Sequence, residues 1–408
     1  MRICLLLGCL FVAANLRADE PAFPKFKMQE IATDLTVGYA VIVADINGDG
    51  KPDIVVVDSK RVVWYENPTW KCRTIITGKT KPDNVCIAAL DIDGDGQLDL
   101  VLGADWAPFN TKTGGTLQWL NRGKTLDDEW SIHPIAEEPT VHRVRVADID
   151  GSGKPSIILV PLMGRESSAK ANWMDGRPVR ILAFPTPMDP VKGPWTPIVL
   201  NEDLHVCHNF WPYPNPTKKG GPNNILLTSY EGVFDLHHNG ERWSVTKKGA
   251  GNQADLKKNR GASEIKIGTM KDRKQFVATV EPWHGNEIVV YPTDTNEDGL
   301  WKRIVIDDQL RWGHGVWCAD LDGDGNDELI IGVRDNPAKG DKFTEKCGVR
   351  LYKASDATRT KWTRHILDDG GVAVEDLTVA DLNGDGKPDI IAVGRKTGNA
   401  RIYWNMGK

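Results

Sequence analysis

The chain has 408 residues, a formal net charge of -5, 40% hydrophobic and 26% charged residues. This fits a soluble globular protein with a sizeable core, in two or three ordinary domains or one large repeat fold. The acidic balance argues against nonspecific nucleic-acid binding.

The first residues, "MRICLLLGCLFVAANLRADE", read as a secretory signal over residues 1–18, with Arg2 ahead of an apolar run and Ala18 at the cleavage point. That run is too short for a membrane span. The reading makes the protein secreted or periplasmic, with residues 19–408 as one domain. The five cysteines after it, Cys72, Cys86, Cys207, Cys318 and Cys347, are odd in number and irregularly spaced, so at most one or two bridges are expected.

A repeat then organises the chain. "DINGDGKPDI" begins at Asp45, "DIDGDGQLDL" at Asp91, "DIDGSGKPSI" at Asp148, "DLDGDGNDEL" at Asp320 and "DLNGDGKPDI" at Asp381. Each lies between two short apolar, β-branched runs, so each is a turn between two strands. A third strand follows, and a fourth opens with Trp70, Trp130, Trp195, Trp243, Trp301 or Trp362. Four strands per repeat predict an all-β propeller. Two degenerate units fit between residues 148 and 320, giving seven blades. The chain ends on a third strand, "RIYWNMGK", and "FKMQEIATDL" from Phe26 supplies the missing fourth, so an N-terminal strand closes the last blade. The repeated Trp residues read as packing between blades.

In the acidic turns, carboxylates at positions 1, 3, 5 and 9 surround glycines that let the backbone curl round a centre. Oxygen-only donors in such a loop suit Ca2+, whose charge cancels the mutual repulsion of the acids. The expected ligands are Asp45, Asn47, Asp49 and Asp53; Asp91, Asp93, Asp95 and Asp99; Asp320, Asp322, Asp324 and Glu328; and Asp381, Asn383, Asp385 and Asp389. The third repeat keeps Asp148 and Asp150 but has Ser152 and Ser156, which predicts weaker binding. The chemistry is similar to the EF-hand loop, with strands in place of helices. The whole mature chain resembles the FG-GAP/VCBS repeat family, seven-bladed propellers also found in integrin heads.

Six residues before each motif Asp, with Pro214 and Met270 standing in for it in the fourth and fifth blades, lie Tyr39, Val85, His142, His208, Glu264, His314 and Glu375. First strands line the central channel of a propeller, so these positions form one ring on the face opposite the acidic turns. Loops after the second strands add Asp58, Asp105, Trp106, Glu231, Glu281, Trp283, His284, Arg334, Asp335 and Arg395 to that face. Four of the chain's nine histidines would meet there. His142, His208 and His314 with Glu264 or Glu375 make a transition-metal constellation that fits Zn2+, Mn2+ or Fe. His284 is the candidate base, with His142 and His314 as further acid–base groups, and Arg334 and Arg395 are placed to hold anionic or carbonyl oxygens. Asp105, Trp106, Glu281, Trp283 and Trp312 are candidate sugar contacts. The insertion 163–180 is a lid over the funnel or an ordinary surface loop.

"VHRVRVADIDG" and "WGHGVWCADLDGDG" resemble the propeller domain of aldos-2-ulose dehydratases and related secreted proteins. That resemblance implies elimination chemistry on a keto-sugar or glycan, with metal and His in the funnel. Three functions stay open: a carbohydrate-active lyase or dehydratase, a noncatalytic propeller that binds a protein or glycan, and a scaffold. A monomer is expected in each.

Overall fold

The computed structural model describes residues 23–408, so the segment read as a signal lies outside the described residues. The described residues form seven four-stranded antiparallel sheets, and the single helical element among them is one 3-10 turn, Ala169–Ala171. The first strands of blades one to seven are Gly38–Ala44, Cys86–Leu90, Arg143–Ala147, Phe210–Tyr213, Ile265–Thr269, Gly313–Ala319 and Val374–Ala380. In the seventh sheet the strand Phe26–Ala32 pairs with Ala400–Asn405, from Phe26 opposite Asn405 to Ala32 opposite Ala400. The two chain ends therefore close the ring and leave no unpaired edge between last and first blades. Among the described residues no helix is long and apolar enough to cross a membrane.

Second strands carry the core. Asp53–Asp58, Asp99–Ala104, Ser156–Val160 and Asp389–Gly394 are buried along their whole length, because both faces of each blade are covered by neighbours. Trp residues at the start of the fourth strands pack as the repeat predicts: the Trp362 ring meets Phe276 of the preceding blade edge-on at 5.2 Å. All five described cysteines are free thiols, so the one or two bridges that their number allows do not form.

The acidic turns share one architecture. The first Asp of each loop accepts backbone N–H groups from the glycines: Asp45 Oδ1 from Gly48 at 2.8 Å and Oδ2 from Gly50 at 2.9 Å, with the same pattern at Asp91, Asp148, Asp320 and Asp381. These glycines have φ between +74° and +89°, a region open to Gly at no cost. The ninth residue is buried and staples the turn: Asp53, Asp99, Glu328 and Asp389 each accept the N–H of the residue after the first Asp.

Candidate active site in the funnel

The opposite face holds a cavity of about 280 Å3 around the propeller axis. Blade geometry delivers the ring positions to it. His142 and His208 immediately precede their first strands or lie within two residues of them, and His314 and Glu375 are second in theirs. All are buried. Two residues before His142 and His208, Thr140 and Val206 have φ of +57° and +49°. A β-branched residue avoids that region unless its surroundings force it, so the chain is strained where it enters the funnel. His284 itself has φ +49° and stacks on Trp283 with ring centroids 4.1 Å apart and planes 8° from parallel.

Three imidazoles converge. Ring nitrogens of His208, His284 and His314 all lie within 4.8 Å of one another, and the two Nε2 atoms of His208 and His284 are 2.7 Å apart. His142 stands outside that trio; its ring is 4.6 Å from His208 and is covered by Trp106 at 5.0 Å. Two trio members have a partner behind the ring, and the third, His284, is placed by its stacking on Trp283. His314 Nδ1 donates to the carbonyl of Glu375, which leaves Nε2 as the free acceptor. His208 Nδ1 lies 2.9 Å from Glu264 Oε1. Glu264 in turn lies 3.5 Å from an Arg143 guanidinium nitrogen and accepts from Asn209 Nδ2. This is the arrangement that fixes tautomers in metal-binding histidines. The trio thus differs from the sequence expectation in one member, with His284 in the place assigned to His142, and Glu264 and Glu375 stand behind imidazoles.

Burial disfavours charge here. It lowers the pKa of His142, His208, His284 and His314, and the neighbouring cations lower it further. The imidazoles are therefore neutral, the form that ligates metal or accepts a proton. Burial alone would raise the Glu264 carboxyl, but His208 and Arg143 hold it well below the carboxylate range. Burial raises the Glu375 carboxyl despite the guanidinium of Arg395, 2.6 Å from Oε1; its Oε2 is buried without a partner.

Arg334, Arg395, Trp106 and Trp283 also line the cavity. Asp105, Glu281 and Trp312 do not. Asp105 is 3.3 Å from Lys81 at the surface. Glu281 is wholly buried inside its blade, taking the Tyr291 hydroxyl at 2.6 Å and Arg303 Nε at 2.7 Å. Trp312 packs edge-on against Phe343. His205 and Glu231 bond to each other instead. Residues that the sequence did not single out complete the wall: Arg143, Leu162 and Phe109, the last 69% exposed and stacked on Trp173 at 5.6 Å. The insertion 163–180 adds no side chain to the cavity lining and is tied down beside it. Arg165 and Arg180 both pair with buried Glu138, and Thr111 Oγ1 donates to the Ser167 carbonyl at 2.9 Å.

One acidic turn is partly compensated by lysines, Lys408 Nζ at 2.9 Å from Asp322 and Lys353 from within the blade. In the sixth blade Lys353 Nζ contacts Asp322, lies 2.7 Å from Asp324 and 3.4 Å from Glu328. Its counterparts opposite the ninth loop residue in blades one and two are Glu66 and Asn121. Lys353→Met removes that ammonium and leaves the acids facing one another. Breaking a fully buried pair costs 3–5 kcal/mol; with this site half open to solvent, a loss of roughly 2 kcal/mol is expected. Urea unfolding with and without added salt measures it, the deficit shrinking as salt screens the acids.

Comparison with known proteins follows this division of the chain. The description "Aldos-2-ulose dehydratase, beta-propeller domain" matches residues 114–294, and "FG-GAP-like repeat" matches residues 45–102 and 320–392. The chain carries FG-GAP-like repeats and resembles the aldos-2-ulose dehydratase β-propeller domain. Aldos-2-ulose dehydratase of Phanerodontia chrysosporium is 27% identical over 272 residues, covering 62% of this chain. The chain spans only 29% of that relative's length. Crystal structures of BBS1N in complex with ARL6DN, soaked with lead and with mercury, superpose with TM-scores of 0.53 and 0.51 at 11% and 12% identity. Each covers 94% of this chain, and the chain covers 97% and 96% of theirs. That likeness is one of fold.

Proposed function

We propose that the funnel catalyses a β-elimination on a keto-sugar or glycan, as a lyase or dehydratase, around one transition metal such as Zn2+ or Mn2+. The observation that carries this reading is the convergence of three neutral imidazoles, His208, His284 and His314, in a cavity of a chain similar to a sugar dehydratase propeller. Three imidazole nitrogens, two of them backed by an oxygen acceptor, fit such a metal, which when bound would polarise a substrate carbonyl. His142, outside the trio, is the base that takes the proton beside the carbonyl. Glu375, whose carboxyl burial raises, is placed to give a proton to the departing hydroxyl, so the net loss is water. Arg334 and Arg395 stabilise the negative charge that grows on the carbonyl oxygen. Trp106 offers a flat apolar face to a sugar ring.

The acidic turns take Ca2+ in this reading, in a structural role. Elemental analysis after mild chelation, run beside turnover of an aldos-2-ulose, tests the proposal. One zinc or manganese per chain that tracks activity supports it. Glycan binding without turnover, at any metal content, favours the noncatalytic propeller instead.

Glu264→Gln gives a graded check. It removes the charge behind His208 while keeping the shape, and such outer-shell changes cost about 10–100-fold in metal affinity. Competition with a chelator of known affinity measures the loss.

A further inference from the structure

Beneath the imidazoles the channel contains a second cavity of about 350 Å3, walled by first strands from all seven blades. Arg143 and Glu264 form its ceiling. The strand ends below are half-exposed, as in Ile42–Ala44, Trp211–Tyr213 and Trp317–Ala319, so it opens toward the acidic turns. Five charged side chains line it: Arg143, Arg145, Lys266, Glu264 and Asp376. Four are already engaged. Glu264 serves His208 and Arg143. Arg145 donates to the Phe210 carbonyl at 2.9 Å and to Asn209 Oδ1 at 3.0 Å. Asp376 accepts the N–H groups of Val41 and Leu377, each at 3.0 Å.

Lys266 is different. It is 95% buried, with 5% relative exposure, and its Nζ forms no ion pair or hydrogen bond to any described residue. The ammonium sits between two indoles, 3.1 Å from the centre of Trp211 and 4.0 Å from that of Trp317. Cation–π contact holds it in place but supplies no acceptor for its N–H groups. A buried cation without an acceptor is costly, and a ligand that brings one recovers that cost.

We infer that this cavity binds a small organic monocarboxylate, its carboxylate on Lys266 and its apolar part against the strand walls. Formally three cations face two carboxylates, the complement of a monoanion; burial disfavours the free Lys266 ammonium and the Asp376 carboxylate alike, and a bound carboxylate would restore the lysine's charge, whereas a phosphate dianion would meet Asp376 and Glu264. The remaining lining is largely aliphatic, including Ile42, Ile87, Val316 and Leu377, which suits a hydrocarbon body. The site lies on the other side of Glu264 from the proposed chemistry and does not depend on it.

Cyclohexanecarboxylate, titrated at constant ionic strength and chloride, is the probe. It should produce a saturable change in Trp fluorescence and a rise in Tm. Cyclohexanecarboxamide, uncharged and of the same shape, should bind at least 10-fold more weakly. Lys266→Met, which removes an uncompensated charge and so keeps the fold, should weaken carboxylate binding by the same factor. The His314→Ala protein should bind it normally. Absence of saturation, equal binding of the amide, full affinity in Lys266→Met, or loss of binding in His314→Ala would each overturn the assignment.

Discussion

On the proposed function, His314→Ala is expected to give a folded propeller that holds no transition metal in the funnel and has at least about a thousandfold lower turnover. The side chain ends in a cavity, so truncation enlarges existing space and leaves the core packing alone. What holds that strand is its backbone and its flanking glycines. A Cβ on Gly315 would stand 2.9 Å from Leu377 Cγ, and one on Gly313 2.9 Å from Val280, so blades five to seven close tightly around this histidine. The Glu375 carbonyl loses its imidazole donor, and water in the enlarged cavity can replace it, at a cost of about 1 kcal/mol. Metal affinity suffers far more, because two imidazoles cannot replace three. Calcium content and the Tm should change little, zinc or manganese should fall below one per chain, and kcat/KM should collapse. Unchanged metal content with unchanged turnover would remove the funnel from consideration. His142→Ala separates the roles: metal retained, turnover lost.

The ring histidines were legible because propeller geometry turns sequence register into position. Six residues before the motif Asp is one height in the channel in every blade, so His142, His208 and His314 could be placed together without coordinates. His284 was legible only as a resident of the same face. Its entry into the trio depends on a left-handed backbone at that residue and on stacking against Trp283, neither of which leaves a mark on spacing. Glu281 misled for a related reason. It ends a second strand, Gln275–Glu281, whose alternation turns it into the blade, where Tyr291 and Arg303 wait. Asp105 turns outward to Lys81 and Trp312 is taken up by Phe343. Lys266 with Trp211 and Trp317 was invisible, since the two tryptophans stand three residues before the motif position and Lys266 four before it in the blade between them, a juxtaposition no motif marks. Lys353 was missed because a third-strand lysine looks like any solvated charge until the sheet sets it opposite Glu328.

The acidic turns give the other large effect, and its sign reverses with pH. Burial raises the Asp53 and Asp99 carboxyls to about 6 and Glu328 to about 7, neighbouring acids add to each, and Asp389 is raised as well. A carboxyl that binds its proton more tightly when folded stabilises the protein below the ordinary carboxylate range, and that stabilisation fades as pH climbs through 6–7. The chelated protein should therefore melt lower at pH 8 than at pH 5. Calcium is expected to invert the order, because the loops ionised at pH 8 are its proposed ligands. At 100 times Kd each filled site adds about 2.7 kcal/mol. The loop at Asp91, which has no lysine, and those at Asp45 and Asp381, whose Lys51 and Lys387 reach one aspartate each from the exposed rim, should contribute most, the serine-bearing third loop less, and the sixth least while Lys353 occupies it. At roughly 1 °C per kcal/mol for a domain of this size, calcium should lift Tm at pH 8 by about 10 °C. Calorimetric scans at pH 5 and pH 8, each with EGTA and with millimolar calcium, decide it. Equal melting temperatures in all four would mean that the turns are solvated loops whose glycines and backbone hydrogen bonds suffice.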